Sequence, residues 1–146
     1  TKLTKPTVSY ENQETLYLVI KSVKVSFFFY QQSLLFPAIL YENIKVADER
    51  DIAAMKLAAM AGRGSKRDFV DVYFLLKKYS LAQLFSFFTE KFKEIPYSRL
   101  HLLKSLTYFK DAEDEPMPQL TATVSWKEIK ESLTKQTIKL LKEQLS

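Results

Sequence analysis

The side chains best suited to chemistry lie in one stretch, DERDIAAMKLAAMAGRGSKRDFVDVYFLL, residues 48–76. Lys56 is the only charged residue in the apolar run Ile52–Ala61. At about 100° per residue it lies about 40° from Ile52 and about 60° from Ala59, so it shares their helical face. An unpaired buried ammonium is costly, so Lys56 must snorkel, pair with a carboxylate or meet an anion. Asp68 and Asp71 follow, three residues apart and therefore on one face of the next helix. Asp68 also fits a capping box, Ser65-Lys66-Arg67-Asp68, in which the acid reaches back to the cap. Asp71 interrupts the apolar run Phe69–Leu76, where an acid either belongs to a site or forms an ion pair with Lys56 or Arg67.

Those residues need helices to hold them. Asp48 or Asp51 can cap a helix running to about Ala61, with Gly62 at its end. Ser65 can cap a second, residues 66–79, and Ser80 a third that stops before Pro96. Ser98 opens a fourth, RLHLLKSLTYF, and residues 126–145 form a last amphipathic helix. Between these two lies an acidic loop with two prolines; Asp111, Glu113, Asp114 and Glu115 there lack calcium-loop spacing and read as solvated. Upstream, residues 14–20 and 23–30 read as strands rich in β-branched and aromatic side chains. Lys21-Ser22 is a poor two-residue hairpin turn, so a bulge or longer loop is expected there. Residues 41–46 add at most one short strand, and nothing later supplies the sheet with partners. The expected fold is α+β: short antiparallel β-strands at the N-terminus, residues 1–47, followed by a bundle of about five α-helices over residues 48–146.

Composition narrows the function classes. With no cysteine, disulfides, thiolate metal sites and thiol nucleophiles are excluded, and with His101 alone a histidine cluster is too. Two glycines in 146 residues disfavour a turn-rich sandwich or barrel. A formal charge of +5 suits an anionic partner, but only four of the 22 basic residues are arginine, which disfavours sequence-specific base reading. No apolar run approaches the ~20 residues that span a bilayer, and no signal-peptide core opens the chain, so a cytoplasmic setting and no membrane partner are expected.

The stretch around Lys56 resembles the signature of the AbiEii/AbiGii toxin family of nucleotidyltransferases. In that family a helix with an aspartate near its start and a lysine five residues on is followed by an Arg-Gly loop and an Arg-Asp-x-x-Asp helix. Here these are Asp51 and Lys56, then Arg63-Gly64, then Arg67, Asp68 and Asp71. The strand VKVSFFFY resembles the family's strand before this helix, and the likeness extends over about residues 14–110. The family is similar to DNA polymerase β in its catalytic fold, which makes this chain a partial nucleotidyltransferase fold with residues 1–47 as a remnant of the sheet. What the resemblance implies is Mg²⁺-assisted transfer of NMP from an NTP to an acceptor such as tRNA. Lys56, Asp68 and Asp71 would be catalytic; Lys56, Arg63, Arg67 and Lys24 would contact the nucleotide. A cognate antitoxin is the implied partner.

The sequence also departs from the family. Its Gly-Gly/Ser motif followed by Asp-x-Asp is absent from residues 1–146, and the third carboxylate of polymerase-β-like enzymes would fall near Ser26. No metal ligand is therefore assigned within the chain. It is expected to be either the C-terminal part of a toxin or a degenerate member, inactive alone, that either self-associates through exposed strand surface or is covered by an N-terminal segment. Two other readings stand beside this one: a non-catalytic helical module that binds an antitoxin or nucleic acid, and a structural helical domain in which Lys56 and Asp71 pair.

Overall fold

The computed structural model describes residues 5–145, with side chains described as far as residue 143. The chain forms two compact units, Thr1–Gln32 and Ser33–Ser146.

The first unit is a three-stranded antiparallel meander, β1 (Thr7–Glu11), β2 (Thr15–Ile20) and β3 (Val23–Phe28), with β2 in the centre. The partner that β2 needs thus comes from before it. The β1–β2 turn is built by Asn12, whose side-chain oxygen accepts from the Glu14 and Thr15 amides at 2.9 and 2.7 Å. β1 carries a register shift between Val8 and Tyr10, where the Ser9 hydroxyl donates to the Tyr17 carbonyl.

Lys21-Ser22 forms neither a bulge nor a longer loop. Ile20 pairs directly with Val23, and Lys21 and Ser22 take φ of 48° and 67°, the two left-handed residues of a tight hairpin turn. Six consecutive cross-strand pairs outweigh a left-handed cost of about 1–2 kcal/mol per residue. On one face of the pair Leu16, Leu18 and Ile20 lie opposite Phe27, Val25 and Val23.

In the second unit, residues 41–46 are not one strand. β4 (Ile39–Tyr41) and β5 (Ile44–Val46) form a hairpin of their own, closed by Glu42 and Asn43 at φ of 45° and 66°. The helices follow: α1 (Glu49–Arg63), α2 (Lys66–Leu75), α3 (Leu81–Lys91), α4 (Arg99–Ser105) and α5 (Trp126–Leu145), with a short 3₁₀ turn at Lys110–Ala112. The α+β class and the five helices agree with the sequence reading.

Asp48, not Asp51, caps α1, accepting from the Arg50 amide. Ser65 and Ser80 close capping boxes with Asp68 and Gln83, and Ser98 caps α4. α1 runs past Gly62 to Arg63, while α2, α3 and α4 each stop four or fewer residues short of the sequence boundary, where their last turns tighten to i+3 bonds such as Lys77 N to Phe74 O. Gly64 at the end of α1 is a close approach: a Cβ there would lie 3.3 Å from the Met60 backbone and from the Phe69 ring. That proximity brings the start of α2 hard against α1.

The core is helical. Ala53, Ala54 and Leu57 of α1 are fully buried with Phe69, Val72, Leu84, Phe85, Leu102, Ile129 and Leu133. The alanines let a second helix pack closely on α1. Phe69, Phe109 and Trp126 meet ring to ring at 5.1–5.7 Å and tie α2 to the start of α5.

Candidate functional site

α1 presents Lys56 midway along its length, and the tight Gly64 connection sets the first two turns of α2 beside it. The Lys56 ammonium lies 2.7 Å from Asp71 Oδ2 and 3.0 Å from Asp68 Oδ1. Asp68 performs both duties read from its position: its Oδ2 accepts from the Ser65 amide and hydroxyl at 3.0 and 2.7 Å. The cluster opens toward solvent on one side, since the Asp68 side chain is 14% exposed, Lys56 28% and Asp71 46%. A lysine has three N–H donors. Two are taken by these carboxylates, which leaves one for a ligand among the described residues. Asp71 does pair with Lys56; Arg67 is exposed on α2 and makes no such pair among the described residues.

Burial pushes the Lys56 amine down, but the hydrogen bonds it donates to Asp71 and Asp68 outweigh it and hold the amine above the usual lysine value. Burial likewise raises Asp68, and the bonds from Ser65 and Lys56 more than reverse it. At neutral pH Lys56 is therefore a fixed ammonium and Asp68 a carboxylate. The cluster does not fit a directly coordinated divalent cation: both Asp68 oxygens are engaged, and a metal on either acid would meet the ammonium. Among the described residues, no group of three or more His, Cys, Asp or Glu is placed to hold a metal ion.

The remaining sequence-chosen residues are scattered. Arg63, exposed at the end of α1, lines a cavity of about 330 Å³ with Gly62, Gly64, His101, Lys104 and Tyr108. Lys24 is an exposed residue of β3 in the first unit.

Two lysines that the sequence does not single out are more deeply buried than any of these. Lys91 donates to Asp51 Oδ1 at 2.6 Å and to the Ser33 carbonyl at 2.8 Å, with both charged side chains fully buried. Asp51 also accepts from the Leu35 and Phe36 amides at 3.0–3.1 Å. Arg50 adds its guanidinium over the Phe36 ring at 3.5 Å. The family-matching aspartate thus anchors the segment leading to β4 onto α1. Its signal lay in periodicity: Asp51 is three residues before Ala54, and Lys91 three after Phe88, each on the apolar face of its helix. Lys66 is the other one, donating to the carbonyls of Glu113 and Glu115, while its amide donates to the Glu115 carboxylate at 2.7 Å. Glu113 takes the Trp126 indole and Lys130. The acidic loop keeps Asp111, Glu113 and Asp114 exposed, as its sequence implies, and through Glu113 and Glu115 it also ties α2 to α5.

Acid should loosen this frame. The Arg50 hydrogen bond holds Asp48 down at about 2; burial raises Asp51, but its bonds from Lys91, Leu35 and Phe36 leave it below the usual carboxylate range. A carboxyl that titrates lower folded than unfolded adds stability that is complete above about pH 4 and is lost as pH falls through its folded value. The melting temperature is therefore expected to hold from neutrality to about pH 4 and to fall steeply toward pH 2. Scanning calorimetry across that range checks it, and a flat profile contradicts it.

A three-stranded sheet in the first unit and, in the second, a capped helical bundle with a clamped lysine define an α+β chain whose polar centre lies on two adjacent helices. The family model described as nucleotidyl transferase AbiEii toxin, type IV toxin–antitoxin system, matches residues 12–143. The chain belongs to that family. It is 35% identical over 140 residues to an uncharacterized protein of Aquifex aeolicus (strain VF5), an alignment covering 89% of this chain and 63% of the relative. The chain thus spans less than two thirds of the length of that relative. No solved structure matches. Among the described residues, no helix is long and apolar enough to cross a membrane.

Proposed function

We propose that these residues form the C-terminal part of a cytoplasmic nucleotidyltransferase toxin that transfers NMP from an NTP to an acceptor such as tRNA, and that a cognate antitoxin restrains. The observation that carries this reading is the Lys56 ammonium held charged and half-buried between Asp68 and Asp71, with one donor to spare. Such a group is suited to a triphosphate oxygen, where a preorganised cation stabilises charge that grows in the transition state. Asp68 fixes the lysine. Asp71, the more exposed acid, is the one able to take a proton from an acceptor hydroxyl. Arg67 is a further contact to nucleotide phosphate, and Arg63 a contact to phosphate at the end of α1.

Any Mg²⁺ is held by carboxylates other than these, since the cluster does not fit one directly; residues 1–146 contain no Asp-x-Asp. On this reading residues 1–146 alone transfer nothing. The whole protein, incubated with each α-labelled NTP, Mg²⁺ and total tRNA, is expected to label RNA, whereas residues 1–146 give background. Labelling by the short chain, or none by the whole protein with any NTP, would contradict the proposal.

A further inference from the structure

The cavity at the C-terminal end of α1 has a chemistry of its own. At about 330 Å³ it falls in the range of small-molecule sites. Arg63 and Lys104 line it, and neither has an acidic partner among the described residues. Asp111 is the one carboxylate in the lining, so two fixed cations stand against one acid. His101 is anchored there: one ring nitrogen, Nε2, lies 2.8 Å from the Ala61 carbonyl, to which it donates. Tyr108 supplies an exposed ring that meets no other ring among the described residues, and Met60 an apolar floor. Unpaired cations beside an open aromatic face are the combination that takes a phosphate together with its base. Lys56 does not line this cavity: it lies seven residues before Arg63, about 10 Å back along the axis at 1.5 Å per residue, with its ammonium on Asp68 and Asp71.

We infer that this cavity is a second nucleotide-binding site, in which Arg63 and Lys104 hold a phosphate and Tyr108 stacks the attached base. It takes from the proposal above only Arg63's role toward phosphate and does not depend on transfer at Lys56. The phosphate comes either from a free nucleoside triphosphate or from an RNA strand, and the two are separable by experiment.

The whole protein is titrated with a labelled single-stranded octaribonucleotide and, separately, with ATP and CTP. Arg63→Gln with Lys104→Gln is expected to weaken binding about tenfold or more and to reduce the salt slope for the RNA by about 0.7 for each phosphate no longer neutralised. Weakening in the RNA arm identifies a strand, and weakening in the triphosphate arm a free nucleotide. Lys104, which the Lys56 site does not use, carries the distinction: Lys104→Gln alone is expected to weaken binding several-fold whether or not the whole protein transfers nucleotide. Asp111→Asn removes the opposing charge and is expected to tighten binding several-fold, a gain that misfolding does not produce. Unchanged affinity in both arms for the double variant, or no tightening in Asp111→Asn, overturns the inference; cations that only answer the α1 carbonyls would show instead as a lowered melting temperature with binding intact.

Discussion

Asp51→Ala is expected to destabilise the helical unit by about 3–5 kcal/mol, the usual cost of stranding one partner of a buried ion pair. Lys91 is then left fully buried with its ammonium facing an emptied carboxylate site. The Leu35 and Phe36 amides lose their acceptor in the same step, and an unmet buried amide carries its own desolvation cost. At the enthalpies typical of domains of this size the midpoint should fall by roughly 6–20 °C. Asp51→Asn combined with Lys91→Met removes both charges and keeps an acceptor for the two amides, so it should recover most of the loss. Thermal denaturation followed by Trp126 fluorescence measures all three proteins. A shift under about 2 °C for Asp51→Ala, or a double variant no better than the single, would mean that the pair does not hold the 33–36 segment.

Much of the helical part is legible because its punctuation is local. Ser65, Ser80 and Ser98 announce three helix starts, and each caps as its sequence implies. The strands are harder. Lys21-Ser22 contradicts turn preference, and only the pairing of Ile20 with Val23 across it decides the conformation. β1 escapes notice because TVSYE is short and its alternation is broken by the shift between Val8 and Tyr10.

For the site, order along the chain singles out Lys56, Asp68 and Asp71, and α1 with α2 brings them within hydrogen-bonding distance. Lys91 lies 40 residues from Asp51 in sequence, and no local spacing reports a pairing of that length. A lysine at the end of an amphipathic helix reads by default as a favourable dipole partner, and here that default conceals a buried ion pair.

Lys56→Ala in the whole protein is expected to lower nucleotide transfer on the order of 100-fold or more while the fold survives. The two effects separate because of where the cluster sits. Its lysine is partly solvated, Asp71 nearly half exposed, and Asp68 keeps its Ser65 bonds when the ammonium is gone. Water can therefore rehydrate the acids, and the stability cost should stay near the ~1 kcal/mol of a half-exposed pair rather than that of the Asp51–Lys91 pair. Lys56→Arg sharpens the test. A guanidinium still pairs with both carboxylates, so stability should be retained, but its planar fork does not reproduce a compact ammonium aimed at one oxygen. Activity should fall in Lys56→Arg even where the melting temperature does not. Asp68→Asn should cost more stability than Asp71→Asn, because it weakens the α2 cap as well as the lysine. Melting and transfer are to be measured on the same preparations. Full transfer by a folded Lys56→Ala protein would reduce the cluster to a helix-to-helix ion pair and put the catalytic cation elsewhere in the protein.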